Sequence, residues 1–218
     1  MRRLRFPEDE AQIKDVISKI DYSNALVPNC TDELVIQACE EALQYGFAAV
    51  AVFPSCVKMV AKRLEGSRVH SQIAVGFPMG NHLTQTKLTE ARLALEDGAR
   101  EVDMVMNLHR FFSKDYSYVQ DELCQMVELA AGYDVKVKLI IETGYLTDEQ
   151  KMIAGKIAVD AGAGFIKTCT GFGPGRATVH DIGLLVDNFG DKIKIKASGS
   201  IASLDDAACF VSMGASRS

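Results

Sequence analysis

An α/β fold built on a parallel sheet is what this chain predicts, and three observations carry that reading. Seven short apolar runs have strand length, segments of helical spacing separate them, and the alternation persists from one end of the sequence to the other. The strand-like runs lie at 20–23, 48–53, 72–77, 101–106, 137–142, 164–168 and 193–198. Helical periodicity occupies 33–45, 84–95, 119–131, 148–161 and 179–189, with a further helical segment expected in 1–18.

Taken in order, the first run reads Ile20-Asp-Tyr-Ser23, and the helix after it closes on Tyr45-Gly46. The second and third runs, Ala48-Ala-Val-Ala-Val-Phe53 and Gln72-Ile-Ala-Val-Gly-Phe77, precede a helix ending at Asp97-Gly98. In the fourth, Glu101, Asp103, Val105 and Asn107 share one face while Val102, Met104 and Met106 form the other, so Asp103 points inward if the methionines meet the helices. Helices after the fifth and sixth runs start at capping boxes, Thr147 with Gln150 and Thr178 with Asp181, and Ser203 with Asp206 repeats the signal near the end. Glycines 162 and 214 again follow helical stretches.

A parallel sheet of this kind is either an open doubly wound sheet or a closed (β/α)8 barrel. An open nucleotide-binding sheet carries its glycine fingerprint after the first strand, where this chain has Asp21-Tyr-Ser-Asn-Ala-Leu-Val-Pro28. The glycine-rich loop comes late, after the sixth run, which favours the barrel. Seven strands are accounted for and the eighth is expected to begin just beyond Ser218, so the expectation is one barrel domain over 1–218 with its eighth strand missing or truncated, or with another segment patching the open edge.

The 218 residues, 48% hydrophobic and 24% charged, suffice for a sizeable core. A net charge of -5 argues against a nucleic-acid partner, and no apolar run is long enough for a membrane, so a soluble, cytoplasmic protein is expected. Cysteines 30, 39, 56, 124, 169 and 209 lack zinc or disulfide spacing and read as reduced thiols, mostly packed in the core, with Cys169 placed to flank a pocket. The dispersed histidines suggest no metal site.

The chemistry concentrates at strand ends. Lys167 ends the sixth run and opens into Thr168-Cys-Thr-Gly-Phe-Gly-Pro-Gly-Arg176, and Lys196 ends the seventh before Ala-Ser-Gly199-Ser200. A lysine buried at a strand end loses hydration, and a second ammonium nearby repels its charge, so both effects favour the neutral nucleophilic amine that imine chemistry needs. One such lysine would ordinarily snorkel to water; two at successive strand ends, with Asp103 at a third, suit proton transfer around an imine. Gly171, Gly173 and Arg176, with Gly199 and Ser200, could offer backbone N–H groups and a guanidinium to a phosphate.

These residues resemble the class I 2-deoxyribose-5-phosphate aldolase family. The resemblance runs through Gly76-Phe-Pro78, Thr86-Lys87, Glu90-Ala91, Glu101-Val-Asp103-Met-Val-Met-Asn107, Ile141-Glu142-Thr143, Phe165-Ile-Lys167-Thr-Cys-Thr-Gly171-Phe172, Ala177-Thr178 and Lys194-Ile-Lys196-Ala-Ser-Gly199. It implies a TIM barrel and a carbon–carbon lyase that reversibly cleaves 2-deoxy-D-ribose 5-phosphate into acetaldehyde and D-glyceraldehyde 3-phosphate without a cofactor. It further implies that Lys167 forms the imine, that Lys196 lowers its pKa, and that Asp103 with a water acts as acid and base. The implied partners are the phosphorylated sugar and acetaldehyde, and a homodimer is left open.

The chain departs from the family pattern at its first strand, from which only Asp21 is carried over to the substrate site, and at Ser200, Lys194 and 173–176. The family's turn after the eighth strand, which adds to its phosphate grip, is absent from 1–218. A lysine aldolase with another substrate, or a catalytically impaired relative serving as a binding or scaffold protein, remain alternatives.

Overall fold

The computed structural model describes residues 9–218; the part of the expected N-terminal helical segment in 1–8 lies outside the described residues. Seven strands form one parallel sheet in sequence order: β1 (Asp21–Tyr22), β2 (Ala49–Val52), β3 (His70–Val75), β4 (Glu101–Val105), β5 (Lys136–Ile140), β6 (Phe165–Lys167) and β7 (Lys194–Lys196). Around it run α1 (Glu10–Ile17), α2 (Asp32–Tyr45), α3 (Val57–Arg63), α4 (Thr84–Glu96), α5 (Leu108–Phe112), α6 (Tyr116–Ala131), α7 (Asp148–Asp160), α8 (Val179–Phe189) and α9 (Leu204–Ser212). Every sequence run overlaps its strand; five contain it whole, while β3 begins two residues before the run 72–77 and β5 one residue before the run 137–142. The short helices α3 and α5 escaped the periodicity reading because they span only seven and five residues.

Local chemistry explains the helix ends. The Thr31 hydroxyl accepts from the Leu34 N–H to start α2, and Gly46 at φ 76° stops it in the left-handed conformation that glycine takes without a steric penalty. The Thr147–Gln150 box is reciprocal, whereas at Thr178 and Ser203 only the hydroxyl cap forms. Inside α2 the buried Val35, Ala38, Cys39 and Ala42 recur at helical spacing and face the sheet.

The alternation in the strands divides the molecule into two interiors. Val50, Val52, Ile73, Val75, Val102, Met104, Leu139, Ile166 and Ile195 face outward into one apolar layer beneath the helices. Burying each such side chain contributes about 1.5–3 kcal/mol, so this layer is the main source of stability. The opposite faces point into the barrel and carry Asp21, Gln72, Glu101, Asp103, Lys138, Lys167 and Lys196, all buried. Small residues on the same faces, Ala49, Ala51 and Ala74, leave room for these long side chains.

At the eighth-strand position an isolated bridge joins Lys196 to Arg217, so 216–218 already take the place that was expected to begin just beyond Ser218. Ser216 N–H donates to Ile195 O (2.8 Å) and Ala197 N–H to Arg217 O (3.0 Å), while on the other side Ser218 N–H donates to Lys19 O (2.9 Å) and Asp21 N–H to Ser218 O (2.8 Å). Three residues thus pair with both β7 and β1, and the expected open edge is zipped at this level. Of the six cysteines only Cys39 and Cys169 are buried, fewer than expected from the sequence, because Cys30, Cys56 and Cys209 are partly exposed and Cys124 lies on the outer face of α6. Among the described residues no helix is long and apolar enough to cross a membrane.

Candidate active site

Strand register brings the sequence-selected residues together. Ala74 on β3 lies beside Asp103 on β4, Asp103 beside Lys138 on β5, and Lys167 on β6 beside Lys196 on β7, which puts the three lysines and the aspartate on one concave wall. Lys167 Nζ donates to Asp103 Oδ2 at 2.7 Å, and Lys196 Nζ donates to the same oxygen at 3.1 Å and to Asp21 Oδ2 at 2.5 Å. The Gln72 amide adds another donor to Asp103 Oδ2, at 2.7 Å. Lys167 therefore competes for its only carboxylate oxygen with Lys196 and Gln72.

Three partners that the sequence reading passed over complete the network. Lys138, fully buried, donates to Asp103 Oδ1 (2.8 Å) and to Glu101, and lies 3.3 Å from Asp21 Oδ2. Arg217 spans Asp21 Oδ1 (2.5 Å) and Glu101 Oε1 (3.0 Å), and His70 Nδ1 meets the same Glu101 oxygen at 2.8 Å. Lys138 had a legible signal, since it alternates with Val137 and Leu139 as Asp103 does with its own neighbours. Arg217 had none, because it lies outside every run of strand length.

The electrostatics separate the four cations. Among the described residues the cluster holds three carboxylates, Asp21, Glu101 and Asp103, against Lys138, Lys167, Lys196 and Arg217. One positive charge is in excess when all are ionised. Attraction to the surrounding cations overcomes burial and holds the pKa values of Asp21, Glu101 and Asp103 below the ordinary carboxylate range. Lys138 is raised, because three carboxylates outweigh its loss of hydration. Lys167 alone goes the other way, down to about 8: burial is the largest cause, Asp103 opposes it, and the Lys196 and Lys138 ammonium groups add to the lowering. The excess proton is thus most easily lost from Lys167.

A cavity of about 710 Å³ opens over this wall and is lined by Asp21, Lys167, Gly171, Lys196, Gly199 and Ser200 among others. Gly171 (φ 88°) and Gly199 (φ 104°) need the left-handed backbone, and a Cβ at Gly199 would stand 2.9 Å from that of Cys169. Cys169 is buried beneath this turn, outside the cavity lining. Ser200 adopts φ 55° without being glycine. Gly173 and Arg176 lie outside the cavity lining: Gly173 packs on the Glu142 carboxyl group and the Arg176 side chain is exposed. Lys194 shares the Lys196 face but sits at the opposite mouth, exposed, with its ammonium 5.5 Å from the Phe165 ring centre.

Glu142, noticed in the sequence only as part of a family string, is the other unusual residue. It follows β5 at φ 54° and ψ 64°, a left-handed conformation that costs a side chain about 1–2 kcal/mol. Its buried carboxylate accepts from Thr170 N–H (3.1 Å) and Thr170 Oγ1 (2.5 Å) through Oε2, while Oε1 is buried without a partner. Elsewhere, Asp148, His180 and Asp181 bring ligand atoms within 4.8 Å of one another, but the Lys151 ammonium already bridges Asp148 (3.0 Å) and Asp181 (2.7 Å).

Known proteins share this arrangement of strands. The chain is 43% identical over 205 residues to deoxyribose-phosphate aldolase of Thermococcus gammatolerans, covering 93% of this chain and 91% of that one. It is 45% identical over 205 residues to deoxyribose-phosphate aldolase of Caldicellulosiruptor saccharolyticus, covering 94% and 93%. The tetrameric deoxyribose phosphate aldolase of Aeropyrum pernix superposes with a TM-score of 0.87 at 31% identity, over 94% of this chain and 86% of that one. With a sequence profile matching residues 15–202 as well, the chain belongs to the DeoC/LacD family of aldolases.

Proposed function

We propose that this protein is a deoxyribose-phosphate aldolase working through an imine on Lys167. The observation that carries the reading is a buried amine with pKa lowered to about 8, facing a cavity and sharing its one carboxylate oxygen with a second lysine. The relatives at 43% and 45% identity carry that name, which supplies the substrate, 2-deoxy-D-ribose 5-phosphate.

In the cleavage direction neutral Lys167 Nζ attacks C1 of the open-chain sugar, and the carbinolamine loses water to give the iminium. A base removes the proton of the C3 hydroxyl, the C2–C3 bond breaks, and its electron pair enters the iminium, leaving an enamine on C1 and C2. D-Glyceraldehyde 3-phosphate departs. Protonation at C2 and addition of water then return acetaldehyde and the free amine. Asp103, acting with a water, moves these protons, and Lys196 keeps the Lys167 amine neutral while holding Asp103 in place. Because its lysine neighbours depress the pKa of Asp103, the carboxylate is a weak base on its own, which is why a water shares the task. Gly171, Gly199 and Ser200, beside Asp21, form the wall assigned to the phosphorylated end, with Gly173 and Arg176 supporting the loop from outside the cavity.

The test is reductive trapping with acetaldehyde and cyanoborohydride followed by peptide mass analysis, alongside steady-state cleavage of the phosphorylated and unphosphorylated sugars. An N-ethyl group on Lys167, about 28 Da after reduction of the imine, with a preference for the phosphorylated sugar, is expected. No adduct on Lys167 would leave the mechanism without its nucleophile.

A further inference from the structure

We infer that Glu142 is a positioning residue for the proposed cleavage, holding the turn 168–172 that forms the cavity wall immediately after Lys167. The inference rests on the aldolase reading for the reaction it serves, but its geometry stands apart from the lysine network. Ile141 N–H donates to Lys167 O at 3.0 Å, and the next inter-strand bond runs from Thr143 N–H to Thr168 O, also at 3.0 Å. A regular parallel ladder would advance two residues on each side; here two residues on one side face one on the other. Glu142 is the extra residue, and its left-handed backbone turns the side chain over the end of β6.

That side chain organises the turn. Glu142 Oε2 takes both the N–H and the hydroxyl of Thr170, and Thr170 Oγ1 in turn accepts from Phe172 N–H at 3.0 Å. Thr170, Gly171 and Phe172 line the cavity, so one carboxylate sets three residues of its wall. Gly173 is part of the same device, since a Cβ there would lie 2.9 Å from the Glu142 carboxyl carbon. Strain together with a buried carboxyl oxygen that has no hydrogen-bond partner among the described residues marks a residue kept for its position.

Two readouts test this, one independent of activity. Native-state alkylation of Cys169, buried under the same turn with Thr143 Oγ1 3.3 Å from its sulfur, reports opening of the turn, and the buried Cys39 on α2 reports global opening. Thr170→Val, which leaves Glu142 in place beside the thiol whose pKa burial and, to a lesser extent, Glu142 raise, is the decisive variant and is expected to speed Cys169 labelling about tenfold with Cys39 unchanged; Glu142→Gln is expected to speed it at least as much, and Thr170→Ser stays near wild type. In cleavage, the Gln variant is expected to raise KM about tenfold while kcat falls less than about threefold. Cys169 labelling that is unchanged, or that rises in step with Cys39, overturns the inference, as does an unaltered KM in an active enzyme. Should the wild type form no adduct with acetaldehyde, the aldolase reading falls, and the labelling still decides whether Glu142 holds the turn. If Glu142→Gln does not fold, Thr170→Val gives the same decision.

Discussion

Among the described residues two buried lysines, Lys87 and Lys167, have lowered pKa values, yet only Lys167 lines the cavity. Lys87, on α4, loses its hydration against α6 and is lowered by burial, with Glu122 opposing. Its ammonium has one carboxylate oxygen without a competing donor, Glu122 Oε2 at 2.7 Å, the Thr84 hydroxyl taking Oε1, and it also donates to the Val105 carbonyl at 2.8 Å. Lys167 shares one oxygen with Lys196 and Gln72 and lines the cavity. Burial alone moves a lysine towards neutrality; competition for the counter-ion and access from outside are what turn the shift into a reactive amine.

The sharpest way to break the comparison is to remove each amine. Lys167→Met is expected to lower cleavage by about 10⁴-fold or more and to abolish the acetaldehyde adduct while the fold survives. Lys87→Met is expected to destabilise the fold by about 3–5 kcal/mol by stranding Glu122, and Lys87→Met with Glu122→Leu to recover most of that loss. Denaturant melts of the three variants check both halves. Loss of stability in Lys167→Met equal to that in Lys87→Met would erase the distinction.

Asp103→Asn comes next. It takes the counter-ion from three lysines and the proposed proton carrier from the reaction, so a fall of about 10²–10⁴-fold in kcat is expected in steady-state assays.

A smaller effect sharpens the electrostatic half. The rate of adduct formation should rise with pH through a midpoint near 8, as Lys167 loses its proton. Since Lys196 helps to lower that pKa, Lys196→Met should move the midpoint upward. The folded pKa lies below the ordinary 10.5, so the unfolded chain holds more protons between about 8 and 10.5, and this group's charging cost is relieved as pH rises through that window. A midpoint that ignores Lys196 would assign the whole shift to burial, as at Lys87.

The sequence disclosed the barrel because strand and helix periods alternate cleanly, and it disclosed Asp103, Lys167 and Lys196 because charges stand out at the ends of apolar runs. It was less informative where position depends on closure. Arg217 contributes to the site only because curvature brings 216–218 back beside β1, a relation that no local pattern encodes. Lys138 was within reach of the alternation argument that located Asp103. Glu142 could not be found that way, since an extra residue in the ladder reverses the face its side chain takes.

The mildest change, Arg217→Lys, replaces a two-pronged guanidinium with a single ammonium that cannot span Asp21 and Glu101 together. A loss of about 1–2 kcal/mol in a denaturant melt is expected, with adduct formation retained.

The short zipper between β7 and β1 has a kinetic consequence. Asp21 and Arg217 stand 196 positions apart in the chain, so docking them is among the most entropically demanding contacts of the described residues and belongs late in folding. The same aspartate is a partner of Lys196, which ties unzipping to catalytic failure. Mild heat should therefore silence the enzyme while its helices still report an intact far-ultraviolet signal, with the amides of Asp21 and Ser218 among the earliest to exchange with deuterium.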